Sequence, residues 1–195
     1  MSGLNQAATF QPAHAHIFIG TVGVAVAPTN ANIQAFNPTV GTLSTPTGWT
    51  NIGLTSLDND TAFDRDGGDL KERGSRQATP LRVSIEPITD KFDFNLIQTD
   101  DQGFAAYYGA NSSASPALGQ FDVGINRTPL VKAFLVIFVD GTNMLGMYAP
   151  SASITAADKI VQGNDDWFEL PCQAVFTQLS GQPIMRWLSN SVAGS

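Results

Sequence analysis

The sequence predicts an antiparallel β-sandwich or small barrel with one short flanking α-helix, a mainly β fold. Three observations carry this. Segments of strict period-2 alternation recur along the chain, separated by Gly, Pro and Asn turn signals. One run, Val131–Val139 (VKAFLVIFV), is apolar on both faces after Lys132, as a central strand covered on both sides should be. Only one stretch combines helical spacing with a start and a stop signal. With 195 residues, no internal repeat and no low-complexity linker, a single domain over 1–195 is the expectation.

In chain order, His16–Ala27 reads as a strand in which Val22, Val24 and Val26 alternate with small residues. Pro28 through Pro46 reads as a long turn-rich connection. Leu81, Val83 and Ile85 alternate with Arg82, Ser84 and Glu86, the mark of a half-buried strand. After Pro87 the phase changes to Phe92, Phe94 and Leu96, so covering one core with both segments requires a bulge or break near Pro87–Ile88. The helix follows. Thr99 and Gln102 fit a capping box, and Asp100 and Asp101 suit the positive end of the dipole. Phe104 and Tyr108 share a face, and Gly109 stops the turn. Strands resume at Phe121–Ile125 and at Val131–Val139, where Asp140-Gly141 signals a hairpin into Met144–Ala149. Trp167–Leu179 is a long strand with Leu170, Cys172, Ala174 and Phe176 on one face. Ser180-Gly181-Gln182-Pro183 turns it into Ile184–Leu188.

Composition narrows function. Apolar residues make up 43% and charged residues only 14%, which excludes intrinsic disorder and argues for a surface covered by other protein. A net charge of −7 gives no attraction to nucleic acid or anionic membrane. Cys172 is the single cysteine, so no internal disulfide can form. MSGLNQAATF has neither a basic region nor an apolar core of signal-peptide length, so synthesis in a reducing compartment is expected. No Asp, Glu, Lys or Arg precedes Asp58, yet Ile17, Phe18, Ile19, Val22, Val24, Phe36 and Trp49 fall in that neutral stretch. A neutral flexible leader is one reading. An arm or edge strand buried against another subunit accounts better for so much apolar area.

Chemistry finds little support. His14-x-His16 has a metal-binding spacing but no third ligand nearby in sequence. Asp58-x-Asp60 reaches Asp69 at the twelfth position of a calcium-type loop, with Phe63 where the turn glycine belongs, and Asp64-x-Asp66 fails alike. The carboxylates of Asp100-Asp101 and Asp165-Asp166 are adjacent and point apart on regular elements. Cys172 reads as a small core residue. No catalytic residue, cofactor or metal is therefore expected. Arg65, Lys71, Arg73, Arg76 and Arg82 cluster, but Asp64, Asp66, Asp69 and Glu72 cancel most of their field. The segment is either a solvated hairpin loop or an inter-subunit loop whose charges pair across a contact.

PTGWTNIGLTSLDNDTAFDRDGGDLKERGSRQATPLRVSIEP (Pro46–Pro87) resembles the corresponding region of major tail proteins, the tail tube subunits of long-tailed phages with non-contractile tails. The shared pattern is Gly-Trp, a short Ile/Leu-Gly step, an acidic turn, a charged Gly-containing loop, and a strand entering a Phe-rich one. The helix near Phe104–Tyr108, the Asp-Gly hairpin and the Leu-Pro strand ending near Trp187 continue it, so that residues 16–188 are covered. The resemblance implies a β-sandwich or barrel of the tail-tube type, hexameric rings whose sheets join around a lumen, and rings stacked through an arm and a loop. Met1–Ala27 corresponds to the arm, and Asp66–Thr79 to the stacking loop. Removing the arm would then leave a folded domain unable to form tubes. Subunit-contact candidates are Ile17, Ile19, Val22, Val24, Asp66, Asp69, Lys71, Arg73 and Arg76.

The implied partners are other copies of the chain, the tape measure protein and tail-end proteins. DNA passes only in transit, without sequence recognition, and no membrane is involved. The implied address is the virion tail, assembled in host cytoplasm. The extra C-terminal immunoglobulin-like domain of some members is not expected. Repeated subunit contacts of about 2,000–5,000 Å² would explain the scarcity of charge, and a net acidic bore would let DNA slide. Two other classes fit the same composition. One is a head decoration or tail connector protein. The other is a carbohydrate-binding β-sandwich with Trp49, Trp167 or Tyr148 as a stacking platform.

Overall fold

Residues 9–73, 82–115, 118–162 and 166–190 are described by the structure, a computed structural model. Strand β1 (His14–Gly20) leads to helix α1 (Asn30–Gln34) and β2 (Trp49–Asn51). β3 (Ala62–Asp66), β4 (Leu70–Arg73), β5 (Arg82–Ile85) and β6 (Thr89–Leu96) precede α2 (Asp101–Tyr108). β7 (Ser113–Ser115), β8 (Gln120–Asp122), β9 (Leu130–Asp140), β10 (Asn143–Ala156), β11 (Leu170–Phe176) and β12 (Arg186–Leu188) complete the fold. The main sheet is antiparallel in the order β2-β1-β9-β10-β11-β6-β3, with β12 also on β10. β4–β5 and β7–β8 form separate hairpins.

β9 organises the molecule, as its sequence predicts. Phe134 and Val136 enter one core with Ile17, Ile19, Phe92, Phe94 and Cys172. Ala133, Leu135, Ile137 and Val139 enter a second core, on the opposite face, with Phe18, Ile33, Phe36 and Trp49. Alternate side chains of a strand point to opposite faces, so two covered faces leave no polar position in the run. The sheet curls: Phe92 and Phe94 of β6 each lie 5.8 Å from Phe134, although two strands separate β6 from β9 in the sheet. The chain just beyond β2 then closes it. Ser56 N donates to Asn95 O at 2.9 Å, and Ile97 N to Leu54 O at 2.9 Å. α1 packs on β10 and, with its flanking segments, covers the second core, while α2 packs on β10 and β11. Replacing Phe134 by Ala should cost about 3–5 kcal/mol, because Phe92 and Phe94 of β6 and Phe176 of β11 lose their common neighbour. A urea titration checks this through a lowered midpoint at unchanged slope.

Several elements differ from expectation, each for a local reason. β1 ends at Gly20 because Thr21–Val24 form a turn: Val24 N donates to Thr21 O at 3.0 Å around Gly23 at φ +74°. A second helix, α1, lies in the expected turn-rich connection, where Thr29 and Asn32 form a capping box. The cap of α2 is Asp100 and not Thr99, since the Asp100 carboxylate accepts from Gly103 N at 2.9 Å. The predicted Phe121–Ile125 and Trp167–Leu179 strands shorten to β8 and β11, and Met144–Ala149 extends to Ala156. β10 bulges between Ala149 and Ala152, around Pro150, which has no amide to donate. β12 pairs before the bulge and β11 after it. A break near Pro87 does occur, but β5 and β6 belong to different sheets. Val83 and Ile85 therefore cover no core, and the half-buried reading of that strand is corrected.

Candidate functional site and subunit-contact surfaces

The nine contact candidates separate into distinct environments. Ile17 and Ile19 are buried inside the subunit, with 0% and 4% of their surface exposed, because β1 lies between β9 and β2 and is no loose arm. That corrects their placement at a subunit contact and the extension of the arm through residue 20. Val22 is half-buried, whereas Val24 stands out on the turn after β1 with 71% exposure. Asp66 ends β3, Asp69 lies between β3 and β4, and Lys71 and Arg73 are on β4, all four exposed. Arg76 and residues 74–79 of the expected stacking loop lie outside the described residues, as do Asp165 and residues 1–8 of the arm.

The expected loop is in part a projecting two-stranded hairpin. β4 and β5 pair only with each other, Leu70 opposite Ile85 and Glu72 opposite Val83. Leu70, Val83, Ile85 and Ile88 all stay largely exposed. Glu86 N donates to Asp69 O at 3.0 Å, and Lys71 pairs with Glu86. At the base, Gly67 takes φ +86°, and a Cβ there would meet the Pro87 carbonyl oxygen at 2.1 Å. An isolated hairpin is at best marginally stable in water, so one with four exposed apolar side chains is built to be covered.

Much of the charge in this region is compensated within the subunit. Arg65 Nε meets Asp90 Oδ1 at 2.6 Å, and Lys91 Nζ meets Asp64 Oδ2 at 3.1 Å. Both pairs lie directly opposite in the β3–β6 register. The hydrogen bond from Lys91 holds the Asp64 carboxyl below its ordinary range, and Asp64 raises Lys91. These side chains pair internally, whereas the contact candidates Asp66, Asp69 and Arg73 belong to no such ion pair.

A polar knot that sequence reasoning missed pins the closure of the sheet. Glu169 accepts from Ser56 Oγ, from Asn59 Nδ2 at 2.6 Å and from Asn95 Nδ2 at 2.8 Å. Burial pushes this carboxyl up, but the three donors outweigh it and hold it below its ordinary value of 4.5. The unfolded chain therefore binds the proton first, and the knot's contribution is present above about pH 4.5 and lost as pH falls through the lower folded value. The thermal midpoint of the native protein should fall more steeply between pH 5 and pH 3 than that of Glu169→Gln. Parallel melting curves check this. No motif links Ser56, Asn59, Asn95 and Glu169, since only the fold brings them together.

The chemical candidates do not converge. His16 packs edge-on against Phe36, with ring centroids 5.0 Å apart. Burial, then the neighbouring His14, lowers its pKa. Among the described residues no three His, Cys, Asp or Glu side chains gather as metal ligands. The Asp66 carboxylate accepts from Gly67 N at 2.9 Å, while Asp64 faces Lys91. Cys172 is buried in the core, its thiol pushed up to about 12. Trp49 and Tyr148 are also buried, packed edge to face at 5.9 Å, and Trp49 Nε1 donates to Val26 O at 2.9 Å. Only Trp167 is exposed, so the three aromatics form no sugar-stacking platform.

The chain matches the family described as phage tail tube protein over residues 2–195. It is 31% identical over 192 residues to the major tail protein Gp23 of Mycobacterium phage D29, covering 97% of this chain and 95% of that protein. It is also 31% identical over 195 residues to the major tail protein Gp23 of Mycobacterium phage L5, covering 96% and 94%.

Proposed function

The chain belongs to the phage tail tube proteins, and from that membership we propose that it stacks as hexameric rings into a conduit for DNA. It is a structural component of the virion tail that assembles with copies of itself, and it is not an enzyme. The finer reading concerns how copies meet. Neighbouring subunits join into a ring through exposed sheet edges, β3 on one side and the β2 margin on the other, which removes edges that would otherwise pair at random. The projecting β4–β5 hairpin, with Asp66, Asp69, Lys71, Arg73 and Arg76 on or around it, reaches the next ring. Residues preceding β1 act as the arm, and the turn bearing Val22 and Val24 adds a contact. The whole chain is one tail-tube domain.

The observation that carries this reading is the hairpin, four apolar side chains held in water on an otherwise folded subunit. A net charge of −7 supports a bore that repels DNA phosphates and lets the duplex slide without recognition. The tape measure protein and tail-end proteins are the further partners of such a tube. Negative-stain images of the purified full chain test the proposal. Hollow tubes with six-fold end views are expected. Small closed oligomers would favour a head decoration or tail connector protein, and monomers at high concentration would overturn self-assembly.

A further inference from the structure

The first half of β1 has a strand on one side only. β9 pairs with it along its whole length, His14 to Gly20, whereas β2 covers only Phe18–Gly20. The last bond on that side runs from Ile52 N to Ile17 O at 3.1 Å. The cause is local. At Gly53, φ +112°, the chain turns away from β1 toward β6, and a Cβ there would meet the Gln98 side chain at 2.8 Å. Alternate residues of a strand turn their backbone groups to the same neighbour, so Ala15, like Ile17, directs its amide and carbonyl to the vacated side. Among the described residues no strand meets them.

This open edge runs along a groove of about 1070 Å³. One wall holds Val40 and the other Leu54 and Leu57, each more than half exposed. Asp60 is the single carboxylate in its lining. The groove therefore offers main-chain partners along its floor and apolar rims on either side, the requirements for adding a strand.

The β4–β5 hairpin is an exposed element of matching kind: its Val83 and Ile85 alternate with Ser84. It stands at the other end of the molecule. β6 leaves the hairpin at Thr89 and reaches the groove wall at Leu96, where Leu54–Ser56 bond to it. Eight extended residues separate knob from hole, about 24 Å along the strand. A knob at one end and a hole at the other make a head-to-tail contact, which propagates instead of closing on a pair. Within one subunit the two cannot meet.

We propose that the β4–β5 hairpin of one copy docks in this groove of the next copy, β5 adding as a strand to the open edge at His14–His16. Arg73 on the hairpin then approaches Asp60. The pairing rests on the ring-stacking reading and names the surface that receives the hairpin.

Hydrogen exchange on the unmodified full chain, free and assembled, is the test. The amides of Ala15, Val83 and Ile85 should all slow about tenfold or more on assembly. In a mixture of His14→Cys and Ser84→Cys proteins, a short bis-maleimide should yield a dimer that neither variant gives alone. Cys172, buried and with a thiol pushed up to about 12, does not compete. Tubes whose Ala15 amide exchanges as fast as in the free subunit would overturn the docking and leave the tube itself intact. A chain that never assembles would overturn both. Should the cysteines hinder assembly, the exchange measurement alone decides.

Discussion

A chain shortened to begin at Thr21 should not fold at all, although its missing stretch carries no charge and reads as a detachable arm. It loses Ile17, Phe18 and Ile19, which are 0%, 0% and 4% exposed and serve both cores. Truncating three such side chains costs about 6–15 kcal/mol, as much as the whole stability of a typical domain. The loss also strips β9 of its partner on one side and leaves β2 with nothing to pair with. Near-UV circular dichroism and a thermal scan should show no fixed aromatic environment and no cooperative transition. A chain beginning at Thr9 keeps every described element. It should melt as the full protein does and, where the leading residues act as the stacking arm, fail to form tubes. A folded domain from the longer truncation would return β1 to the arm.

Excising the β4–β5 hairpin should have the opposite outcome, an intact subunit that no longer stacks. Asp66 and Thr89 lie directly opposite each other, so residues 67–88 can be replaced by an Asn-Gly turn joining β3 to β6. None of the described side chains removed belongs to either core. Leu70, Val83, Ile85 and Ile88 keep about half or more of their surface exposed, and covering it represents about 3–7 kcal/mol in a complete contact. Realising even half of that means the concentration needed for assembly rises at least about tenfold on excision. Sedimentation and electron microscopy measure this, with the thermal midpoint as control. Normal tubes from the excised protein would take the hairpin out of the stacking contact.

These two results separate residues that look alike in one dimension. Val83 and Ile85 alternate as cleanly as Phe92 and Phe94, yet the first pair is solvent-exposed and the second lines the core. Alternation states that one face of a strand is apolar, but not what covers it. The phase change at Pro87 is legible in the sequence. That it separates a projecting hairpin from a core strand depends on β6 finding β11 and β3 while β5 finds only β4. The acidic and basic residues around Arg65 likewise cancel on paper, but only the register shows that Arg65 faces Asp90 and Asp64 faces Lys91.

Local signals were enough for the mainly β class, the doubly covered β9, the Asp140-Gly141 hairpin, the aromatic helix ending at Gly109, the buried face of Cys172 and a surface too poor in charge to stand in water. Each depends on neighbours a few residues apart, where backbone geometry leaves little choice. Tertiary structure alone decided that β1 is core and not arm, that α1 covers the second core from β10, that Glu169 ties the segment between β2 and β3 to β6, and that a half-covered strand lies at the opposite end from a bare hairpin. Those outcomes rest on pairs such as His14 with Val139, more than a hundred residues apart, selected by mutual burial that no single segment encodes.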